Sequence, residues 1–569
     1  MVPDAPIDGK LPSVKPEDRS GDFTFSRGSN LAATRVNKDG LIEKGRENLL
    51  LQSNTFSSWG TVGVNWLGGQ SGYDSSNDAW ILTDTATSGD HRLYIANSHS
   101  GVNTLSVYAK AGTKSIVYVQ SYISNSSIAY FDLSAGSILS TASDIDSKIE
   151  SVGNGWYRCS IAFNNTNSYV TIGMAESATR GYSGDGTGTI YIQDAQLEKG
   201  LVATGYIETT TAAVQKGILE NLPRLDYSGG ASCPSLLLEP QRSNLITNSE
   251  YFGGASWIKN FSSITSNAVI SPDGALNAGK LVENTDNTSH HLYENFTAVG
   301  VYTFSVFAKK GEREYVYLYS DAVGRGKSFN LVNGTIDANI IAPPTNATIE
   351  DYGNGWYKCS MTITANSGAF RIGNCLSSGV FSYQGDGSSG IYIYGAQLEA
   401  SSYPTSYIPA YGSSVTRSGD TCSDAGDATT FNDSEGVLYA EIAALADDGT
   451  FRNISVNNGT TAQSVRIYYR NTANKITALI GSSSGGGVTV NVANLYTFNK
   501  IALVYQNDNA KLFVNGILEG TIQGITMPTG LNQLDFNIAG VLPFYGKAKE
   551  VIYFPTALTD DECIALTTI

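Results

Sequence analysis

An eight-residue string, GNGWYRCS at 153–160, returns 200 positions later as GNGWYKCS at 353–360, with only Arg158 changed to Lys358. Other echoes keep nearly the same offset. SVYAK at 106–110 answers SVFAK at 305–309, YSGDG at 182–186 answers YQGDG at 383–387, and AQLE recurs at 195–198 and 396–399. Upstream, NLLLQSNTF from Asn48 pairs with NLITNSEYF from Asn244. Whole domains were therefore copied, with small insertions in loops. A period this long fits tandem domains and excludes a solenoid.

Within the first copy, residues 48–211, runs such as TLSVYAKAG, SIVYVQSYI, WYRCSIAFN and GTIYIQDAQLE are separated by Gly, Asn, Asp and Ser. Tyr157, Cys159, Ile161 and Phe163 alternate with Arg158, Ser160 and Ala162, which predicts strands with one buried and one wetter face. Helical periodicity is absent over any useful length. Many short strands spaced by turn signals imply a β-sandwich, and the module's length fits a jelly roll. Residues 244–416 repeat the scheme. Residues 417–569 carry a different text, in which QNDNA and Asn515-Gly516 mark two consecutive hairpins between Ile501 and Ile522. One short helix is expected there, over 559–567, with Thr559 as N-cap and Glu562 as its capping-box partner.

The pieces between the modules read as follows. Residues 1–22 form an extended, proline-rich arm suited to attachment. Residues 23–47, with the turn NKDG, and 212–243, with Gly229-Gly230, form hairpin connectors that brace the modules. Glu43 with Arg46 and Glu239 with Arg242 share one offset and are expected to be exposed ion pairs of little worth.

A chain of 569 residues with 15% charged and 41% hydrophobic residues has ample material for three cores. Its net charge of −16 argues against a nucleic-acid partner, which needs a basic surface. No run of 18 apolar residues occurs and the N-terminus lacks an apolar leader core, so neither membrane insertion nor secretion by a cleaved signal is expected. Cys159 and Cys359 are counterparts inside apolar strands and read as buried free thiols; Cys233, Cys375, Cys422 and Cys563 show no metal-ligand spacing.

No catalytic residues are assigned. Glycosidases on a sandwich fold need two carboxylates on one strand face, and i, i+2 acids are required for that; no E-x-D occurs in the chain. Asp447-Asp448 and Asp560-Asp561 are adjacent acids in turns. His91 and His290 recur in register and read as strand histidines bonded within their modules. Gly184-Asp185-Gly186 and Gly385-Asp386-Gly387 read as turns, with a structural calcium as the alternative; no metal site and no cofactor are assigned.

These strings resemble a known family. FTFSRGSNLAATRVNKDGLIE, NLPRLDYSGG, CPSLLLEPQRSNLI, GNGWYRCS, GDGTGTIYIQDAQLE and TSYIPAYGSSVTRSGD are similar to multidomain structural proteins of tailed bacteriophages, described as tail-fibre, virion-appendage or phage carbohydrate-binding proteins. Within that resemblance the two copies look like jelly-roll carbohydrate-binding modules. KIALVYQNDNAKLFVNGILEG followed by GKAKEVIYFPTALTDDE resembles the laminin-G and concanavalin A-like lectin superfamily. The implied fold class is all-β: three β-sandwich domains, two of them duplicated jelly rolls and the last a concanavalin A-like lectin sandwich. The implied role is a virion surface protein, assembled in the host cytoplasm, that adheres to host or environmental glycans. Its implied partners are other virion proteins, host-surface glycans and further copies of itself in a homotrimer. The alternative is a purely architectural decoration or fibre subunit that binds no sugar.

Sugar recognition uses a flat aromatic face flanked by amides or carboxylates. Trp156 and Trp356 sit identically in both copies and are assigned to packing, as are Trp59 and Trp257. Trp66 and Trp80 have no match in the second copy's text and lie among Gly, Asn, Asp and Ser, which makes them candidate glycan-binding residues. In the last domain Tyr468 and Tyr545 are the candidates. Tyr-rich strands such as VYLYS, which alternate aromatic residues on one face, could line a groove or an inter-subunit surface.

Overall fold

The computed structural model describes residues 10–11, 22–29, 31–122, 127–166, 168–297, 299–481 and 487–569. The expected N-terminal arm lies almost wholly outside the described residues. The fold is all-β and built from β-sandwiches, each closing over its own apolar core. No helix among the described residues is long and apolar enough to cross a membrane.

The first module packs two antiparallel sheets face to face. One, called here the junction sheet, runs in the spatial order Ile145–Gly153, Trp156–Asn164, Val102–Ala111, Thr189–Lys199, Ala79–Asp84 and Val64–Gln70. The other, the free sheet, runs Ser137–Thr141, Ile128–Asp132, Ile116–Tyr122, Tyr169–Ala175 and Ser88–Ala96. Leu105, Val107, Ile161 and Ile192 from the junction sheet meet Val117, Val119, Ile172 and Met174 from the free sheet. The second module repeats both orders, with Gly300–Lys310 between Gly390–Glu399 and Trp356–Ala365, and with Gly368–Cys375 between His291–Phe296 and Tyr315–Ser320.

Two repeated strings find their physical cause in a clamp. Asn48 donates its side-chain amide to the carbonyls of Ala195 and Ile207, and accepts from the N–H of Leu197. Asn244 does the same with Ala396, Ile408 and Leu398. Gln196 and Glu198 of AQLE accept from the backbone of Ile207 and Thr204; Gln397 and Glu399 accept from Ile408 and Thr405. Each clamp lays the segment that follows AQLE across the outer side of the junction sheet. The expected wetter face of Trp156–Asn164 is thereby covered: Arg158, Ser160 and Ala162 are buried along with Cys159 and Ile161. Alternation marked two chemistries, and both ended away from water.

The C-terminal domain places a seven-stranded sheet, with Gly546–Phe554, Glu435–Ala444 and Asn499–Gln506 in its middle, against a five-stranded one that includes Ser464–Tyr469 and Arg452–Asn457. Asn507-Asp508 and Asn515-Gly516 turn the two consecutive hairpins with positive φ, as the sequence implies. The helix Asp560–Thr567 carries the Thr559–Glu562 capping box.

Strands from far upstream complete this domain. Ser235–Leu238, in the stretch read as a connector, pairs with Gly546–Phe554, and Arg224–Asp226 pairs outside it. Phe23–Ser26 pairs with Thr421–Ser423, and Phe23, Phe25, Leu236 and Leu238 lie in the C-terminal core. The hairpin Thr34–Val36 and Ile42–Lys44 docks instead on the second module, where Ile42 packs with Phe307, Trp356 and Tyr407.

The ion pairs expected in these hairpins are corrected by the structure. Glu43 pairs with Arg35 at 2.8 Å rather than with Arg46. Glu239 is buried and pairs with Arg224 at 2.6 Å and Arg417 at 2.8 Å, whereas Arg242 stacks over Tyr403. Antiparallel pairing brings opposite hairpin arms together, so Arg35 meets Glu43 directly across its ladder, and Arg224, opposite Leu237, reaches Glu239 two residues beyond.

Candidate ligand-binding site

Domain packing leaves one broad face of each jelly roll available. The outer side of the first junction sheet, at Thr104, Ser160 and Ala162, approaches Asn267 and Leu276 of the second module. That of the second junction sheet, at Asn346, Thr348, Glu350 and Lys358, lies across a cavity of about 810 Å³ from Ala443–Asp448 and Phe498 of the C-terminal domain. A second cavity of about 810 Å³ lies where the N-terminal hairpin meets both modules; Lys44, Glu250 and Asp273 line it, already joined to one another at 3.0 and 2.6 Å. The outer sides of the two free sheets carry no such interdomain bonds among the described residues.

On the free sheet of the first module, Tyr118, Gln120 and Tyr122 alternate along one strand, opposite Gly173, Thr171 and Tyr169 of the next. Arg92 and Tyr94 continue the same face on the third strand. Glycine shapes this floor: a Cβ at Gly173 would stand 2.4 Å from the Tyr118 ring, so only hydrogen there lets the ring lie across the strand. Gly60 serves Tyr94 in the same way, again at 2.4 Å. Tyr118 contacts Tyr130 with ring centres 5.7 Å apart. Around this buried floor stand the half-buried Tyr94 and Tyr122 and the exposed Tyr169.

The floor holds polar atoms that the chain does not satisfy. Tyr118 Oη, Gln120 Nε2 and Thr171 Oγ1 are buried with no hydrogen-bond partner among the described residues. Each such atom left unpaired costs about 1–3 kcal/mol, so three in one patch mark a floor that is enclosed within the module and incompletely satisfied. Gln120 Oε1 accepts from Arg180 Nη1 at 3.2 Å. Burial pushes the Tyr118 hydroxyl up, with Asp90 adding to the shift and Arg92 and Arg180 opposing it. The phenol therefore stays protonated and is a donor throughout the ordinary pH range.

The second module repeats this layout with Tyr317 over Gly373, where a Cβ would stand 2.3 Å from the ring. The hydroxyls of Tyr317 and Ser320 are again buried without a partner. Arg371 lies over Tyr319 and is held by Asp321 at 2.6 Å. His291, in the place of Arg92, is pushed down to about 4 by burial, with Arg371 adding to it, and is therefore neutral near pH 7. Tyr317 and Tyr319 belong to the VYLYS strand whose alternation pointed to an aromatic face. Tyr118 and Gln120 were not singled out, although their position opposite the repeated Gly173 and Gly373 could have found them.

The sequence-derived candidates are dispersed. Trp66 and Trp80 do meet, edge to face at 5.4 Å, on the first junction sheet. Register shows their counterparts to be Ile264 and Gly279. Trp80 packs on the module's core and donates Nε1–H to Asn54 O, while Trp66 rides above it, 40% exposed beside the more exposed Leu67. Tyr468 is half-buried beside Phe451 and Arg466, and Tyr545 lies over Gly419, both in the C-terminal domain. Trp156, Trp356, Trp59 and Trp257 are buried scaffold.

His91 lies between the carbonyls of Gly63 and Tyr182, and His290 between those of Phe261 and Tyr383. The D-G turns are tied by neighbouring carboxylates: Asp84 accepts from the N–H groups of Gly186 and Gly188, and Glu283 from Asp386. No group of three or more metal-ligating side chains occurs among the described residues. All six cysteines are unpaired, and Cys159 and Cys359 are buried.

No protein-family model matches the chain, and no curated protein matches it. Several solved structures are similar in part, among them the following three. CBM40 of the Ruminococcus gnavus IT-sialidase, solved bound to α2,3-sialyllactose, is 23% identical over 25% of this chain and 86% of its own, with a TM-score of 0.22. The tandem CBM22-1–CBM22-2 domain of Paenibacillus barcinonensis Xyn10C is 10% identical, spanning 66% of this chain and 100% of its own at a TM-score of 0.21. The LG1-3 region of the laminin α2 chain is 10% identical, spanning 83% of this chain and 96% of its own at a TM-score of 0.15.

Gly173→Val tests the architecture of the floor. The branched side chain lifts the Tyr118 ring, and we expect a loss of about 1–3 kcal/mol in the first module's stability, the range for overpacking a filled site. Unchanged thermal unfolding of that module would remove the basis for treating the flat tyrosine as part of a built surface.

Proposed function

We propose that the protein is a glycan-binding surface protein of a tailed-bacteriophage virion, displaying one saccharide-binding face on each jelly-roll module. The observation that carries this reading is the twice-built floor of buried tyrosine and polar atoms without partners, on the one sheet face that domain packing leaves open. Above that floor the half-buried Tyr94 and Tyr122 and the exposed Tyr169 of the first module offer aromatic surface to the apolar side of a pyranose, and Arg92 and Arg180 offer donors to its hydroxyls. Two faces per chain, multiplied in a trimer of such chains, would turn weak single contacts into firm attachment by raising effective concentration. The virion setting rests on the sequence resemblance, as does assembly in the host cytoplasm.

The reading is of a binder and not a hydrolase. Two buried carboxylate pairs among the described residues, Glu239 with Asp420 and Glu250 with Asp273, are each bridged by a shared Arg or Lys, which ties up the charges that acid and nucleophile would need.

A glycan array and a host-cell binding assay with the purified protein test it. The doubly substituted Tyr94→Ala/Tyr169→Ala chain, which removes two accessible rings 5.8 Å apart above the first module's floor, should lose about tenfold or more in that module's apparent affinity, the order expected when a stacking ring is removed from a binding site. Absence of binding to every glycan and to cells would leave the architectural role as the working description.

A further inference from the structure

We propose that the free-sheet face of the first module selects saccharides bearing a carboxylate, a specificity that the matching face of the second module does not share. The proposal rests on the glycan-binding reading above and names the ligand class of that same face.

The duplication supplies the comparison. The two floors are built alike, Tyr118 over Gly173 and Tyr317 over Gly373, yet the groups around them differ in charge. Register places Arg92 of the first module where the second has His291, each opposite its floor glycine. The YSGDG and YQGDG strings place Arg180 where the second module has Phe381, whose ring lies 5.7 Å from Tyr317. Two guanidinium groups beside one tyrosine are thus answered by a phenyl ring and an imidazole. The second module's guanidinium, Arg371, is already occupied by both oxygens of Asp321, at 2.8 and 2.6 Å.

The first module's guanidiniums are less committed. Arg180 makes one hydrogen bond, to the neutral Gln120 Oε1, and no ion pair among the described residues. Arg92 Nε is buried without a hydrogen-bond partner; Asp90 Oδ2 stands 3.7 Å away, close enough to pair in charge and too far to bond. Beneath them Gln120 Nε2, Tyr118 Oη and Thr171 Oγ1 are buried, lack a partner among the described residues and can all donate. Two planar cationic forks, with the single carboxylate of Asp90 beside Arg92, leave a net positive charge at the rim that fits a planar anion, which is what a sugar carboxylate presents. The chain's net charge of −16 repels anions at long range, so recognition here rests on these short bonds and not on steering.

The test uses the full chain and four probes: sialyllactose and oligogalacturonate, each as the free acid and as the methyl ester. Titration calorimetry should show the acids binding about tenfold or more tightly than the esters, the order expected for charge-assisted bonds to a carboxylate. Arg180→Phe, which copies the second module, should abolish that preference, and Arg180→Lys should retain part of it. Thermal unfolding of both variants reports whether the module stays folded, and Arg371→Met should leave the preference intact. Equal binding of acid and ester overturns the inference and leaves the glycan-binding reading standing. An acid preference that survives Arg180→Phe in the folded protein also overturns it, because the anion is then held elsewhere. Failure of all four probes and of every arrayed glycan overturns both readings.

Discussion

Asp420→Ala is expected to destabilise the C-terminal domain by about 3–5 kcal/mol, because it leaves buried guanidinium charge without a counter-ion. Arg224 reaches Asp420 with one nitrogen and Glu239 with another, Arg27 lies 3.4 Å from Asp420, and Arg417 bonds Glu239 at 2.8 Å; all five side chains are buried. Asp420 also accepts from the backbone N–H of Glu239. Removing one of two carboxylates leaves three buried cations on the single charge of Glu239, and leaves Arg27 with no carboxylate at all. These residues come from the N-terminal segment, the stretch between the modules and the start of the C-terminal domain, so one substitution loosens three parts of the chain. Urea unfolding followed by C-terminal-domain probes measures the effect; a shift below about 0.5 kcal/mol, the scale of an ordinary surface change, would refute it. Burial disfavours charge on Glu239, but Arg417 and Arg224 outweigh it and hold the carboxyl well below its ordinary range. Its contribution is therefore full above about pH 4.5, the ordinary value, and is lost only as the pH falls far below that. The wild-type junction should survive mild acid that protonates surface carboxylates.

Removal of residues 1–47 should have the largest effect of any change considered, and it should act at a distance from the cut. Phe23 and Phe25 would leave the C-terminal core, where loss of a buried phenylalanine costs about 3–5 kcal/mol. Lys44 would leave Glu250 and Asp273, which it bridges together with the hydroxyls of Tyr394 and Tyr411. Burial opposes the charge on Asp273, yet Lys44 outweighs it and draws the carboxyl down to about 2. Without the ammonium two carboxylates remain enclosed. A domain's whole stability is about 5–15 kcal/mol, so these losses suffice to unfold the C-terminal domain and to loosen the second module. The first module's core begins at Leu50 and should persist. Hydrogen exchange reads this directly: protection should vanish in Glu435–Ala444, fall in Gly300–Lys310 and remain in Val102–Ala111. Retained protection in Glu435–Ala444 would show that the upstream strands are dispensable.

Part of the site was legible before any coordinates. Alternation in VYLYS placed Tyr317 and Tyr319 on one face, and the shared histidines, capping box and hairpin turns all follow rules of neighbouring residues. Trp66 and Trp80, read as candidate glycan-binding residues because the second copy lacks them, lie together on the junction sheet and not on the free-sheet floor. The role of Gly173 was not legible, because what a missing Cβ permits depends on a ring in another strand. Nor were the partners of Glu43 and Glu239, since a local offset cannot say which arm of a hairpin lies opposite.

The chain's text alone determined that two domains are copies, that strands and turns alternate throughout, and that the sheets are antiparallel sandwiches; these follow from periodicity and turn chemistry, which act over a few residues. Tertiary structure alone decided which sheet face stays open, which upstream strands complete the C-terminal core, and which charges meet in the dark. Those outcomes depend on contacts between residues as distant as Arg27 and Asp420, and free energy of burial is settled by the neighbours a side chain finds, not by those that precede it.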